Sequence, residues 1–242
     1  PGRQAAAAAR AAARAGDLDR AETLALWIPS QYEWAAALAV LAEVAAGAGD
    51  LDRAEALAHS IPDPGGQAEA LAVLAEMAAG AGDLDRAEAL ARQAEAAARS
   101  IAEPYRQAAA LAAVAKAAAG AGDLDRAEAL AQSIPDPGRQ AEALADVALM
   151  AAGAGDLDRA EALARSIPDP GRQAAALMDL ARNAEPDHAR SLLARALTIC
   201  PWQSLTDDLA RADPNAVIAL AGEYLSPISE TTRGSVSALG HV

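Results

Sequence analysis

The sequence predicts an all-α fold, an α-solenoid of antiparallel helix-turn-helix units, on three observations. The phrase GDLDRAEAL stands complete at Gly49 to Leu57 and recurs at Gly82, Gly122 and Gly155, with a close variant at Gly16, so the spacings are 33, 33, 40 and 33 residues. Self-similarity at that period marks a stack of copied supersecondary units. Apolar residues recur at helical spacing on both sides of the phrase, and the breaks between helices are Gly-Asp at one end of each unit and proline at the other.

The phrase explains itself residue by residue. Gly49 follows an alanine-rich run and tolerates the left-handed backbone that closes a helix, while Asp50 is a favoured N-cap for the next. Asp50, Asp52 and Glu55 place negative charge at the positive end of that second helix. Leu51, Ala54, Leu57, Ala58 and Ile61 form its expected buried stripe. Ile61-Pro62-Asp63-Pro64-Gly65 ends it, and Asp63-Pro64 reads as an N-cap followed by proline at the first helical position. Each unit is therefore helix A, a tight turn, helix B and a proline turn.

These residues resemble the tetratricopeptide-type helical hairpin: the glycine-aspartate turn, the apolar Leu51, the small Ala54 and the proline exit match that family's pattern over roughly residues 1 to 200. Helix A departs from it, with Leu38, Leu41, Ala42 and Ala45 in place of the family's WxxLGxxY; helix B is about a turn short and the period is 33 rather than 34. The expected array is a right-handed superhelix of about seven antiparallel pairs, or about fourteen helices. The resemblance implies that helix A lines a concave groove.

Composition bounds the class. Over 242 residues, 53% are hydrophobic but only 2% aromatic, with no Phe, so the core is built from Ala, Leu, Val and Ile. Apolar burial is worth roughly 25 cal/mol per Å², and alanine buries little, so stability accumulates over many interfaces and through alanine's helix propensity. The formal charge of −14 and a single lysine, Lys116, without a basic stripe, argue against nucleic acid. Cys200 stands alone, which excludes a disulfide framework or cysteine zinc site. No stretch reads as a signal peptide or membrane span, and a cytoplasmic location is expected. The Ala and Arg bias fits a high-GC bacterial genome.

The first unit runs from Pro1 to about Ser30, with helix A over Gln4 to Ala15. It has no polar cap before it, and the chain opens on PGRQ, a phrase that recurs at Pro137 and Pro170, so it reads as cut from a longer array. Units follow at about 31 to 63, 64 to 103, 104 to 136 and 137 to 169. The seven extra residues of the third, Gln93 to Arg99, are two helical turns, about 10 Å, and predict the longest helix B, about Leu84 to Ile101, protruding from the stack. A sixth unit starts at Pro170. The 33-residue copy extends to 184. A divergent repeat and cap span 185 to 225, in which Glu185-Pro186 replaces the Gly-Asp turn, Leu192, Leu193, Ala196, Leu197 and Ile199 make an apolar helix B, and a seventh pair lies at about 202 to 211 and 214 to 224. Residues 226 to 242 read as a tail.

Candidate chemistry is sparse. The Asp50-x-Asp52 pair begins like a calcium loop, but Ala54 stands where a ligand is required, and capping accounts for the aspartates. His59, His188 and His241 lie on three different elements without metal-ligand spacing, and His188, Ser191 and Cys200 lack a nucleophile elbow or an orienting third member. No phosphate loop, cofactor site or metal site is expected, and no enzyme. Trp27, Trp34, Trp202, Tyr32, Tyr105 and Tyr224 fall at unit junctions and the cap and read as packing at imperfect repeats.

Comparison of the units with each other is more informative. One column, Leu38, Leu71, Leu111, Leu144 and Leu177, is fixed and reads as core. Others vary: Val40, Val73, Ala113, Asp146 and Asp179 in one; Arg10, Glu43, Glu76, Lys116, Leu149 and Arg182 in a second; Val44, Met77, Ala117, Met150 and Asn183 in a third. By the resemblance the second column points into the groove. The candidate ligand-contacting residues are therefore Val40, Glu43, Val73, Glu76, Lys116, Asp146, Leu149, Asp179 and Arg182. The expected function is a protein- or peptide-binding scaffold, the sensor or interaction region of a larger bacterial signalling protein such as a signalling NTPase. Glu43 and Glu76 with Val40 and Val73 suit a basic, amphipathic segment across units two and three. The alternative is a purely architectural repeat without a ligand.

Overall fold

The computed structural model describes residues 2 to 199, and these form helices joined by short turns with no strand among them. The helices are α1 (Gly2–Arg14), α2 (Leu18–Ala25), α3 (Gln31–Gly47), α4 (Leu51–His59), α5 (Pro64–Gly80), α6 (Leu84–Arg99), α7 (Pro104–Gly120), α8 (Leu124–Gln132), α9 (Pro137–Gly153), α10 (Leu157–Ser166), α11 (Pro170–Arg182) and α12 (Pro186–Ile199). Odd-numbered helices are the A helices and even-numbered ones the B helices. They divide into two compact units, one ending at Pro168 and the other beginning at Asp169. The first is a five-hairpin α-solenoid in which α1, α3, α5, α7 and α9 each pack on the next, and each also packs on its own B helix. The second holds the hairpin of α11 and α12, with Leu192 and Ala196 of α12 buried. The seventh pair, the tail, Cys200, Trp202, Tyr224 and His241 lie outside the described residues.

The tight turn is built as its sequence requires. Gly16, Gly49, Gly82, Gly122 and Gly155 have φ between 83° and 89°, the left-handed region where a Cβ is strained. The Gly49 N–H donates to the Ala46 carbonyl and the Asp50 N–H to the Ala45 carbonyl, each at 2.9 Å; this crossed pair closes α3. Asp50 Oδ1 then accepts from the Arg53 N–H at 3.1 Å, so one residue ends α3 and caps α4.

The proline turn uses a second cap and a clasp. Asp63 Oδ2 accepts from the Gly66 N–H at 2.9 Å, with Pro64 at the first helical position of α5. Asp136 and Asp169 do the same for α9 and α11, whereas Glu103, one methylene longer, makes no side-chain cap on α7. The glutamines of three Pro-x-x-Gln phrases reach back to the end of the previous B helix: Gln67 to the His59 carbonyl at 3.2 Å, Gln107 to Arg99 at 3.2 Å and Gln140 to Gln132 at 2.8 Å.

The fixed column Leu38, Leu71, Leu111, Leu144 and Leu177 is buried, as are Ala54, Leu57, Ala58 and Ile61. Leu51 is only half-buried and its counterpart Leu84 is 52% exposed, because the first turn of helix B lies at the edge of the layer. The third variable column is packing: the methyls of Met77 and Met150 lie 3.8 Å and 3.4 Å from where a Cβ would sit on Gly47 and Gly120 of the preceding A helix.

The inserted residues Gln93 to Arg99 are helical, and α6 has 16 residues against 8 to 10 in α2, α4, α8 and α10. Its extra turns do not protrude. Ala94, Glu95, Ala97 and Ala98 are buried, and α6 lies along α5 more extensively than any other B helix does along its hairpin partner. A 17-residue A helix outreaches a B helix of 8 to 10 residues, so two more turns find an apolar face already waiting.

Candidate functional site

The A helices α3, α5 and α7 lie side by side and enclose an open groove of about 1190 Å³. Helix α5 supplies its middle through Gly65, Gly66, Glu69, Ala70 and Val73; α3 contributes Tyr32, Ala35, Ala36, Ala39 and Glu43, and α7 contributes Tyr105, Arg106, Ala109, Ala110 and Ala113. The groove exists because the facing positions are alanine and glycine, whose side chains fill little of the space between neighbouring helices.

Of the candidates read from the variable columns, the groove takes in Glu43 and Val73. Val40 is half-buried on α3 and Leu149 half-buried on α9. Glu76 of α5 pairs with Lys116 of α7 at 3.2 Å. Asp146, on α9 at the surface, has its carboxyl pushed up by desolvation, opposed by the charge of Lys116 and reinforced by Glu142. Asp179 and Arg182 pair with each other on α11.

Electrostatically the groove is acidic and partly unsatisfied. Asp63 receives Arg106 Nη2 at 2.6 Å, and this bond, followed by the Gly66 N–H, holds its carboxyl below the usual range. Glu43 and Glu69 have no cationic partner among the described residues. Tyr32 and Tyr105 are not core residues: Tyr32 is 84% and Tyr105 68% exposed, as is Trp27 at 76%, while among the described aromatic residues Trp34 lies against the core of Ala9, Ala25, Ile28 and Ala37. They stand at the second position of α3 and α7, where Gly65 and Gly138 stand in α5 and α9. That first-turn position lies outside the apolar core, and at Tyr105 its neighbour is the guanidinium of Arg139, 4.6 Å from the ring centroid.

The B helices carry a second polar system that the motif reading missed. Arg53 reaches Asp19 at 2.6 Å and Glu22 at 2.7 Å; Arg86 reaches Asp52 at 2.7 Å and Glu55 at 2.5 Å; Arg159 reaches Asp125 at 2.7 Å and Glu128 at 3.0 Å. The Asp, Arg and Glu of the repeated phrase thus form a ladder in which these three arginines each grip the acidic pair one unit back. Their fixed separations of 34 and 31 residues were the available signal. The ladder serves the stack; the groove over α5 is the surface left open. Among the described residues no three His, Cys, Asp or Glu converge as a metal site, and no helix is long and apolar enough to cross a membrane.

No protein-family model matches the chain, and no curated protein matches it. Among solved structures the chain is similar to a circular tandem repeat protein with novel repeat topology and enhanced subunit contact surfaces, at 18% identity and a TM-score of 0.20, over 93% of this chain and 49% of that one. The chain spans about half the length of that protein.

Proposed function

We propose that the first unit is a protein- or peptide-binding scaffold of tetratricopeptide-like type, and that its groove over α5 takes a basic, amphipathic segment. The observation that carries this is the combination, in one groove, of an alanine and glycine lining with two carboxylates, Glu43 and Glu69, that no described cation neutralises. An unpaired acidic rim steers and selects a cationic partner, while the apolar lining supplies contact area. Glu43 aligns with Glu76 in the repeat, two helical turns beyond Glu69, so the two carboxylates are about 10 Å apart along the helix direction. A helix with basic residues seven positions apart matches that separation. In this reading the array is the cytoplasmic interaction or sensor region of a larger bacterial signalling protein, without catalysis of its own.

The test is fluorescence anisotropy with a labelled 14-residue amphipathic peptide carrying two arginines seven positions apart, against wild type and the Glu43→Arg, Glu69→Arg double variant. We expect saturable, salt-sensitive binding that the double variant loses at unchanged circular dichroism. Binding indifferent to both charges moves the site elsewhere, and no binding at all favours the purely architectural reading.

A further inference from the structure

At two junctions the second residue of one A helix meets the third residue of the next, and a third junction holds the same two helix positions in the same groove. Between α7 and α9 these are Tyr105 and Arg139: the guanidinium carbon lies 4.6 Å from the ring centroid and Nη2 donates to the tyrosine hydroxyl at 2.7 Å. Between α5 and α7 they are Gly65 and Arg106, and a Cβ on Gly65 would stand 2.9 Å from Arg106 Nη2, so a guanidinium again occupies the space over that position. Between α3 and α5 they are Tyr32 and Gly66, in the same register as Tyr105 and Arg139, 34 residues apart. Here the tyrosine is present and the arginine is missing. Tyr32 is the more exposed of the two rings, 84% against 68%, and no described residue bonds to it or stacks on it.

Nothing in the backbone asks for glycine at position 66. It is helical and is not among the residues of positive φ; a Cβ there would stand 3.2 Å from Ile61 Cγ2, yet arginine occupies the equivalent position in α7, α9 and α11, each after the matching isoleucine, Ile101, Ile134 or Ile167. What the glycine does is leave the place over Tyr32 open to the groove, which both residues line. Glu69, one turn further along α5, lines the same groove without a cationic partner among the described residues.

We propose that the open place over Tyr32 receives an arginine side chain from the bound partner, its guanidinium stacking on the ring as Arg139 stacks on Tyr105 and pairing with the Glu69 carboxylate. This rests on the scaffold reading and names the side chain that the groove selects. Arginine fits better than lysine because a planar guanidinium stacks on a ring and offers paired donors to a carboxylate, whereas an ammonium is a strongly hydrated point charge.

The substitution Gly66→Arg fills the place from within, and Tyr32→Ala removes the ring at a position too exposed to unfold the chain. Anisotropy with the labelled peptide is measured for its arginine, lysine and citrulline forms. The arginine form should bind wild type about tenfold more tightly than the citrulline form, and both variants should lose about that factor. Gly66→Arg should retain helicity, and its urea midpoint should depend on Tyr32. Equal binding of the three peptides, or wild-type affinity in both variants, overturns the arginine site and leaves the scaffold standing. Failure of every peptide to bind wild type overturns both.

Discussion

Arg126 of α8 donates its Nε–H to Glu95 of α6 at 2.7 Å, and not to Glu88, the glutamate of the repeated phrase on that helix. The separation of 31 residues is the same as for Arg53 and Glu22, Arg86 and Glu55, and Arg159 and Glu128. The inserted turns explain the switch: Ala91 to Ala97 repeats the pattern of Leu84 to Leu90 with Glu95 in the place of Glu88. Helix α6 therefore serves two neighbours in two registers. Arg86 and Gln93 engage α4, through Asp52 and Glu55, while Glu95 engages α8. Glu88, released from the ladder, pairs with Arg92 on its own helix.

Breaking this link from the arginine side should be costly. Glu95 is 6% exposed and is held by Arg126 and Arg99. Arg126→Met leaves a buried carboxylate with one exposed partner, and we expect a loss of about 2 to 3 kcal/mol. Glu88→Gln on the same helix removes only a surface pair, worth about 0.5 kcal/mol or less. Urea midpoints of the two variants, compared with wild type, check the contrast.

Deleting Gln93 to Arg99 should leave a folded array. The deletion brings the Arg126 side chain to 31 residues from Glu88 and restores the sequence Ala-Leu-Ala-Arg-Ser-Ile found at 162 to 167. The cost is the burial of Ala94, Ala97 and Ala98 against α5, so the urea midpoint falls while helicity per residue holds. Collapse of the circular dichroism signal would show that the ladder cannot re-form on Glu88.

The two glycines closing α3 should respond oppositely to alanine. Gly49 has φ +86° with open space around it, so Gly49→Ala costs about 1 kcal/mol through backbone strain alone. Gly47 is helical, and its added methyl would meet only the flexible end of Met77 at 3.8 Å, so Gly47→Ala stabilises by up to about 1 kcal/mol. Thermal midpoints give the signs directly.

Two aspartates should show opposite pH dependence. The folded-state pKa of Asp63 is lowered, chiefly by Arg106 and then by the Gly66 N–H. Its contribution is present above the unfolded value and is lost as pH falls through the folded one. Asp63→Asn keeps the cap, so at neutral pH it costs under about 1 kcal/mol at this partly exposed pair, and the difference from wild type vanishes toward pH 2. Asp146 is raised, chiefly by desolvation. The folded state then binds the proton more tightly, so stability falls as pH rises through the window above the unfolded pKa, and Asp146→Asn should stabilise at pH 7 and be neutral at pH 3. Urea midpoints at neutral pH, pH 3 and pH 2 read both effects.

Much of the fold is legible in the sequence because its signals are local. A left-handed backbone at Gly49, a cap at Asp50, proline at the first position of α5 and a helical Gln93 to Arg99 each follow from the chemistry of a few neighbouring residues. The lining of the groove was legible only in part: Glu43 and Val73, which line it, stand out because they vary on a copied scaffold, whereas Tyr32, Gly66 and Glu69 carry no local mark of what they face.

What the sequence determined by itself, then, is the repeating hairpin, where each helix starts and stops, and which leucines are core. These depend on backbone conformation and on a helical period, both contained within a few residues. Tertiary structure alone decided that the two extra turns of α6 lie down on α5, that Arg126 reaches Glu95 instead of Glu88, and that Arg139 stacks on Tyr105 while no described residue stacks on Tyr32. Each of these is a contact between residues on different helices or a choice between equivalent partners, and it is settled by which side chains the packed helices bring within reach.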